Sequence, residues 1–442
     1  MKTREQGFGT WARARLATYW RERQHRNAVY LMLNPVVGAA AGLLFWLIVV
    51  RFTGVSQADV GIGLAVIALG TTVGVLAKGG LDTALIRNVP GASQDEGRRL
   101  LRIAITCGVL LAALLATGLA IAAWAGQIWI EHVTAAGWLL VGAIAALLVV
   151  TWLQDAHFLA EGEARYSFIR NLAFSAARLV LPLFVVLAAV AQPVAVTWAL
   201  ALAFSAVAAS VLGRRLPART GRLVPPREFL HSALRNVSGS AAEFLPGLLL
   251  APLVLAVEGP EAAAVFGIAW TAASLLFLAC AAISRSAFAE MVHVGPQGLP
   301  YTIRRGVRQL MWILGPAAFV GAVLAPVLLL VFGESYSAGG GRVLTILCAS
   351  TLVVAPTYFY LALLRAQERP VALLLFPIAM VVALALLAPA LGARFGLPGV
   401  AVAWYAANVP FAAYAIWKLY HASQEVTTLA GPSPLGHPAH VE

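Results

Sequence analysis

The sequence predicts an all-α integral membrane fold of about twelve transmembrane helices, and three observations carry that expectation. Hydrophobic residues make up 61% of the 442 and charged residues only 11%, giving a mean hydropathy of +0.84 that excludes a set of water-soluble domains. The apolar residues separate into twelve runs, each near the roughly 20 residues a helix needs to cross hydrocarbon. The 31 Lys and Arg gather beside alternate connections, as they do when one set of loops stays in the cytoplasm.

Residues 1–27 form a basic arm with Lys2, Arg4, Arg13, Arg15, Arg21, Arg23 and Arg26, too long and too charged to open a cleaved signal peptide. Phe8, Trp11, Leu16 and Tyr19 or Trp20 recur at helical spacing among these arginines. That suits an interfacial helix on an anionic leaflet, and a solvated basic arm fits the composition as well. An N-terminal six-helix lobe follows over 28–213, with spans near 28–50, 59–79, 102–125, 137–158, 167–190 and 192–213. The stretch 214–228, with Pro217, Pro225 and Pro226, is the longest hydrophilic break and reads as a cytoplasmic linker. A C-terminal six-helix lobe over 229–420 holds spans near 231–257, 261–283, 307–332, 342–365, 370–391 and 397–419. The Pro/Gly-rich residues 421–442 read as a disordered cytoplasmic tail.

With the N-terminus inside, 27 of the 31 Lys and Arg fall on the inner side. Only Arg51, Arg342 and Arg394 fall outside, and Arg178 lies within a span. Both termini are therefore expected in the cytoplasm. The formal charge of +12 is a topogenic feature with no nucleic-acid partner implied. Cys107, Cys280 and Cys348 sit far apart inside spans, giving neither a disulfide framework nor a metal motif. His437 and His440 are the one close histidine pair and lie in the tail. No cofactor or metal is expected.

The halves look related. Gly54-x-x-x-Ala58-x-Val60 recurs 205 residues later as Gly259-x-x-x-Ala263-x-Val265, and Glu163-Ala-Arg165 is echoed by Glu368-Arg369. Six spans per half is an even number, so the halves would share an orientation about an axis along the membrane normal.

Four stretches carry a family resemblance. Residues 45–90 (FWLIVVRFTGVSQADVGIGLAVIALGTTVGVLAKGGLDTALIRNVP), 267–291 (GIAWTAASLLFLACAAISRSAFAEM), 315–350 (GPAAFVGAVLAPVLLLVFGESYSAGGGRVLTILCAS) and 397–409 (LPGVAVAWYAANV) resemble polysaccharide-exporting flippases of the multidrug/oligosaccharidyl-lipid/polysaccharide superfamily. The resemblance implies two six-helix lobes around a central cavity. It also implies outward movement of a polyprenyl-pyrophosphate-linked oligosaccharide across the cytoplasmic membrane, with a glycan polymerase or glycosyltransferases as the attendant partners beyond the lipid bilayer.

The residues themselves offer a set of candidates. In the fifth span Ser167, Asn171, Ser175, Arg178 and Pro182 share one helical face, and in the seventh Ser232, Asn236, Ser240, Glu243 and Gly247 do the same, since steps of three, four and seven return to nearly one azimuth. A charge at the bilayer centre is costly, so Arg178 and Glu243 should face a polar interior. Lining a substrate cavity and joining helices by hydrogen bonds both remain open for these faces, as does an Arg178–Glu243 ion pair. Lys78, Arg87, Arg235 and Arg285 lie near inner span ends, which the resemblance places at a cytoplasmic mouth where a pyrophosphate would meet cations; topogenic charge explains them too. Asp155, beside His157, and Glu243 are the candidates for ion coupling. Trp46, Trp270 and Tyr358 suit aromatic packing better than sugar stacking.

A membrane glycan polymerase or ligase would need catalytic groups outside, where charged residues are sparse and no nucleophile or phosphate-loop motif occurs. A cation-coupled drug or small-molecule exporter of the same superfamily would be expected to hold several carboxylates within its spans. The expected function is thus a flippase working by alternating access, not an enzyme.

Overall fold

The structure is a computed structural model that describes residues 23–126, 132–188, 190–236, 245–367 and 369–429. Residues 1–22, Glu131, Glu243, Glu368 and 430–442, with the tail histidines, lie outside that set, whereas residues 23–27 of the arm and 421–429 of the expected tail are helical. Every described element is a helix or a turn, and eleven helical segments are long and apolar enough to cross a membrane. Close contacts divide the chain into two compact units, Met1–Ala264 and Val265–Glu442.

The first unit contains α1 (Arg23–Phe52), α2 (Gln57–Lys78), α3 (Leu81–Asn88), α4 (Gln94–Trp124), α5 (Ala135–Ala160), α6 (Ala164–Leu187) and α7 (Pro193–Gly213), followed by the short α8 (Pro226–Arg235), α9 (Leu245–Leu248) and α10 (Leu250–Glu258). Helix starts are set by side chains that accept otherwise orphaned N–H groups. Ser56 accepts from the Asp59 amide at 3.1 Å, Ser93 from Glu96 at 3.3 Å and Thr134 from Gly137 at 3.3 Å. α2 is the central element, packed on α4, α5 and α7. At Gly61 a Cβ would stand 1.8 Å from the Pro260 carbonyl oxygen, so only glycine lets α2 approach the backbone at Pro260 this closely.

The seventh span, expected as one run over 231–257, is described as α8 and the short apolar stretch Leu245–Glu258 on either side of 237–244. Pro246 and Pro252 lie within that stretch, and each removes a helix hydrogen bond. α8 packs on α3 and α4, and α9 and α10 pack on α2. The two compact units part at Ala264 and Val265, while the stretch 214–228 expected as a linker lies within the first. That stretch is itself tied to the first unit. The Arg222 amide donates to the Gly91 carbonyl at 3.0 Å, the Gln94 amide to Arg219 at 3.0 Å, and the Gln94 side chain to Leu216 at 2.7 Å.

The second unit comprises most of α11 (Pro260–Val323), with α12 (Ala325–Leu330), α13 (Glu334–Ala366), α14 (Pro370–Phe395) and α15 (Leu397–Leu429). α11 is a 64-residue helical run holding two spans, Pro260–Met291 and Leu299–Val323. It doubles back: a Cβ at Gly321 would lie 3.8 Å from Leu276, whereas those positions would be about 68 Å apart along a straight helix. Cys280, Met291, Ile303, Leu314 and Phe359 share the resulting core. α13 packs chiefly on α15, which also packs on α14.

The repeat seen in sequence has a conformational counterpart. Gly54 and Gly259 both have positive φ, +68° and +87°, as do Gln192 (+56°) and Gly396 (+64°). Helices beginning at Gln57, Ala164 and Pro193 are matched by helices beginning at Pro260, Pro370 and Leu397, offsets of 203, 206 and 204 residues.

Candidate functional site

The polar face of α6 lies against the small-residue face of α1. Asn171 donates to the Asn34 carbonyl at 3.1 Å, and Arg178 donates to the Gly38 carbonyl. Arg178 is 4% exposed, with its guanidinium 5.0 Å from the Phe174 ring centre and 5.5 Å from that of Trp198. A planar, weakly hydrated cation is well matched to aromatic faces. Among the described residues Arg178 has no carboxylate partner, and Glu243 lies outside them. The hydrogen-bonding half of the reading for this face is thus visible directly. Gly38 and Gly42 on α1, four residues apart, leave room for Asn171 and Arg178, as small residues do between packed membrane helices.

A second polar joint links α5 to α6. Arg170 forms a two-armed ion pair with Asp155, Nε donating to Oδ1 at 3.1 Å and Nη2 to Oδ2. Arg170 is 7% exposed. The carboxylate proposed for ion coupling is therefore committed to an arginine in this structure. The adjoining turn carries Gly162, which accepts from the Asn27 side chain at 2.7 Å and so also anchors α1.

The inner-end cations fall into two groups. Lys78 pairs with Asp82 at 2.7 Å, a partner that sequence spacing against Arg87 did not suggest, and lies 5.5 Å from the Trp152 ring centre. Arg87, Arg235 and Arg285 are exposed, and none forms an ion pair with a carboxylate among the described residues. Arg235 meets the His231 ring nitrogen at 2.7 Å. Asn236 donates to the Ser232 carbonyl one turn back, at 2.7 Å. Arg87 and Arg235 belong to the first unit and Arg285 to the second.

Trp46 is 4% exposed and stacks on Trp198, with ring centres 6.5 Å apart. Trp270 meets Trp404 edge-on at 5.0 Å, and Tyr358 packs against the second unit's core. All three serve as packing here. Sequence reasoning missed Arg219, which pairs with Glu161 at 3.1 Å and donates to the Ala92 carbonyl at 3.0 Å. Its position in a proline-bounded hydrophilic stretch gave no hint of a partner. No cluster of three metal-ligating side chains occurs among the described residues.

No protein family and no curated protein is matched by the sequence. Solved structures do match. An inward-facing multidrug resistance MATE family transporter of the MOP superfamily aligns with a TM-score of 0.67 at 16% identity, over 92% of this chain and 100% of its own. The lipid II flippase MurJ in an inward closed conformation aligns at 0.67 and 11% identity, over 91% and 90%. A MOP superfamily transporter from Pyrococcus furiosus, described as having a binding pocket of reversed polarity, aligns at 0.57 and 14%, over 92% and 98%. The chain thus shares the all-helical fold of these structures.

Proposed function

We propose that this protein is a flippase that carries a polyprenyl-pyrophosphate-linked oligosaccharide from the inner to the outer leaflet of the cytoplasmic membrane by alternating access. The fold does not choose between a lipid flippase and a drug exporter, since both kinds of neighbour align at the same TM-score. The distribution of charge supports the flippase reading. Asp155 is the one carboxylate among the described residues set as far as five positions inside a span, and Arg170 holds it, which leaves a cation exporter without a free acid there. Arginines, by contrast, stand exposed and, among the described residues, without carboxylate partners at Arg87, Arg235 and Arg285. Unpaired guanidinium groups suit a diphosphate, which they can engage bidentately.

In this reading Arg87, Arg235 and Arg285 are the cations offered to the pyrophosphate, while Lys78 is paired with Asp82. Arg178 and Asn171 keep α6 seated on α1 in the state described, and Asn236 and Glu243 are the side chains offered to the glycan. The protein makes and breaks no covalent bond. It lowers the cost of taking a polar headgroup through hydrocarbon, and the two states interchange as substrate binds one better than the other.

The test compares charge-matched pairs. Arg235→Gln with Arg285→Gln should lower transport of a lipid-linked glycan at least tenfold at equal protein abundance. Arg227→Gln with Arg304→Gln, also exposed arginines, should leave it within about twofold, because position matters beyond charge count. Equal loss in the two pairs would return all four residues to a topogenic role.

A further inference from the structure

We propose that a cleft in the first unit, at the arginine-rich ends of α4, α5 and α7, binds the phosphate of an anionic membrane lipid. The cleft has a volume of about 430 Å3 and is separate from the arginines assigned above. Its polar wall is Arg98, Arg102, Gln154, His157, Ser210 and Arg214. Arg98 and Arg102 lie four apart on α4 and so share a face. Arg214 follows the last residue of α7, while Gln154 and His157 lie in the last two turns of α5.

Three observations point to an anion. First, none of the three arginines has a carboxylate partner among the described residues. The nearby acids are already used, Glu96 by Arg99 and Glu161 by Arg219. Like charges at i and i+4 repel each other, and an anion between them removes that cost. Second, the wall contains a buried ring nitrogen that lacks a partner among the described residues: His157 is 3% exposed and its Nδ1 has none. Gln154 is oriented by donating to the Ala206 carbonyl at 3.1 Å and to Ser210 at 3.0 Å. Buried groups of this kind are normally satisfied. Third, Leu101, Ile105 and Phe158 complete the lining, and further along α4 the side chains of Leu110 and Leu114 are 66% and 69% exposed. Polar ligands come at the helix ends, and an apolar track leads from them into the membrane. A phosphate carrying acyl chains meets both, whereas a free phosphate would leave the track unused.

The probe is dioleoyl-phosphatidylglycerol, titrated onto the purified full-length protein in detergent and read by native mass spectrometry against dioleoyl-phosphatidylcholine. Wild-type protein should retain the anionic lipid selectively. At about a fivefold loss per basic residue, Arg98→Gln, Arg102→Gln and Arg214→Gln together should weaken it roughly 100-fold. Arg215→Gln, Arg227→Gln and Arg304→Gln together, the same charge change elsewhere, should stay within about threefold. Equal weakening in both triples would mean diffuse attraction and would overturn the proposal, as would full retention in the first. Displacement of the lipid by millimolar inorganic phosphate would assign the cleft to a soluble anion and overturn its assignment to a lipid. If the first triple does not fold, Ser210→Trp fills the mouth of the cleft without changing charge. It should abolish selective retention, and undiminished retention there contradicts the proposal.

Discussion

Replacing Asp155 by Asn should destabilise the first unit by several kcal/mol, and most of that loss should come back when Arg170 is changed as well. The pair bridges α5 and α6 through two hydrogen bonds, with side-chain exposures of 8% for Arg170 and 16% for Asp155. For unit charges about 4 Å apart, an effective dielectric near 20 gives about 4 kcal/mol of attraction. Removing one partner of a buried pair costs about 3–5 kcal/mol, chiefly because the other charge is left without compensation. Arg170 has no second carboxylate to turn to among the described residues, so Asp155→Asn and Arg170→Gln should each approach that range. The double variant buries no unpaired charge and should cost less than either single variant alone. Unfolding of the detergent-purified protein, measured for all four members of the cycle, gives the coupling energy directly. Costs that add to within about 0.5 kcal/mol would refute the brace. A double variant that is stable yet indifferent to the membrane proton gradient, beside a wild type that responds to it, would return Asp155 to ion coupling.

Further outcomes follow from particular contacts. Gly61→Val should nearly eliminate folded protein in size-exclusion chromatography, because its Cβ would stand 1.8 Å from the Pro260 carbonyl oxygen and neither backbone can yield cheaply. Arg178→Gln should lower unfolding stability by about 1.5–3 kcal/mol, the usual value of a charge-assisted hydrogen bond, and Trp198 fluorescence should shift as the cation leaves its ring; an unchanged spectrum and unchanged stability would remove Arg178 from the α1–α6 joint. Reporter fusions after residues 222 and 430 should report cytoplasm and one at residue 336 the exterior, as the 27 to 3 distribution of flanking Lys and Arg requires. An exterior C-terminus would undo the argument for like-oriented halves.

The spans were legible because hydropathy alone marks them, but their ends were not. α4 begins at Gln94, eight residues before the apolar run, because Ser93 caps it and Glu96 lies in its first turn. α13 begins at Glu334, eight residues before the expected 342, because Gly340 and Gly341 let it pack against Leu329 and Pro326. The polar side of α6 was readable from spacing, while its partners were carbonyls of Asn34 and Gly38, groups every residue carries and no sequence pattern marks. Asp155 and Arg170 were readable in principle. They lie almost equidistant from the turn at Gly162, so an antiparallel helix pair brings them face to face. The seventh span read as one run over 231–257 because hydropathy stays high past Pro246 and Pro252, near which α9 and α10 part at Leu249.

The central claim, translocation of a lipid-linked glycan, is tested most directly by purified protein reconstituted alone into liposomes loaded with a polyprenyl-pyrophosphate oligosaccharide. Appearance of the glycan on the opposite face is followed by its susceptibility to an added membrane-impermeant glycosidase. The account predicts that the protein speeds this appearance at least tenfold over empty liposomes, and that Arg235→Gln with Arg285→Gln abolishes the gain. If the same vesicles leave the glycan in place but expel a lipophilic cationic dye when given a cation gradient, the protein is an exporter and the account is wrong.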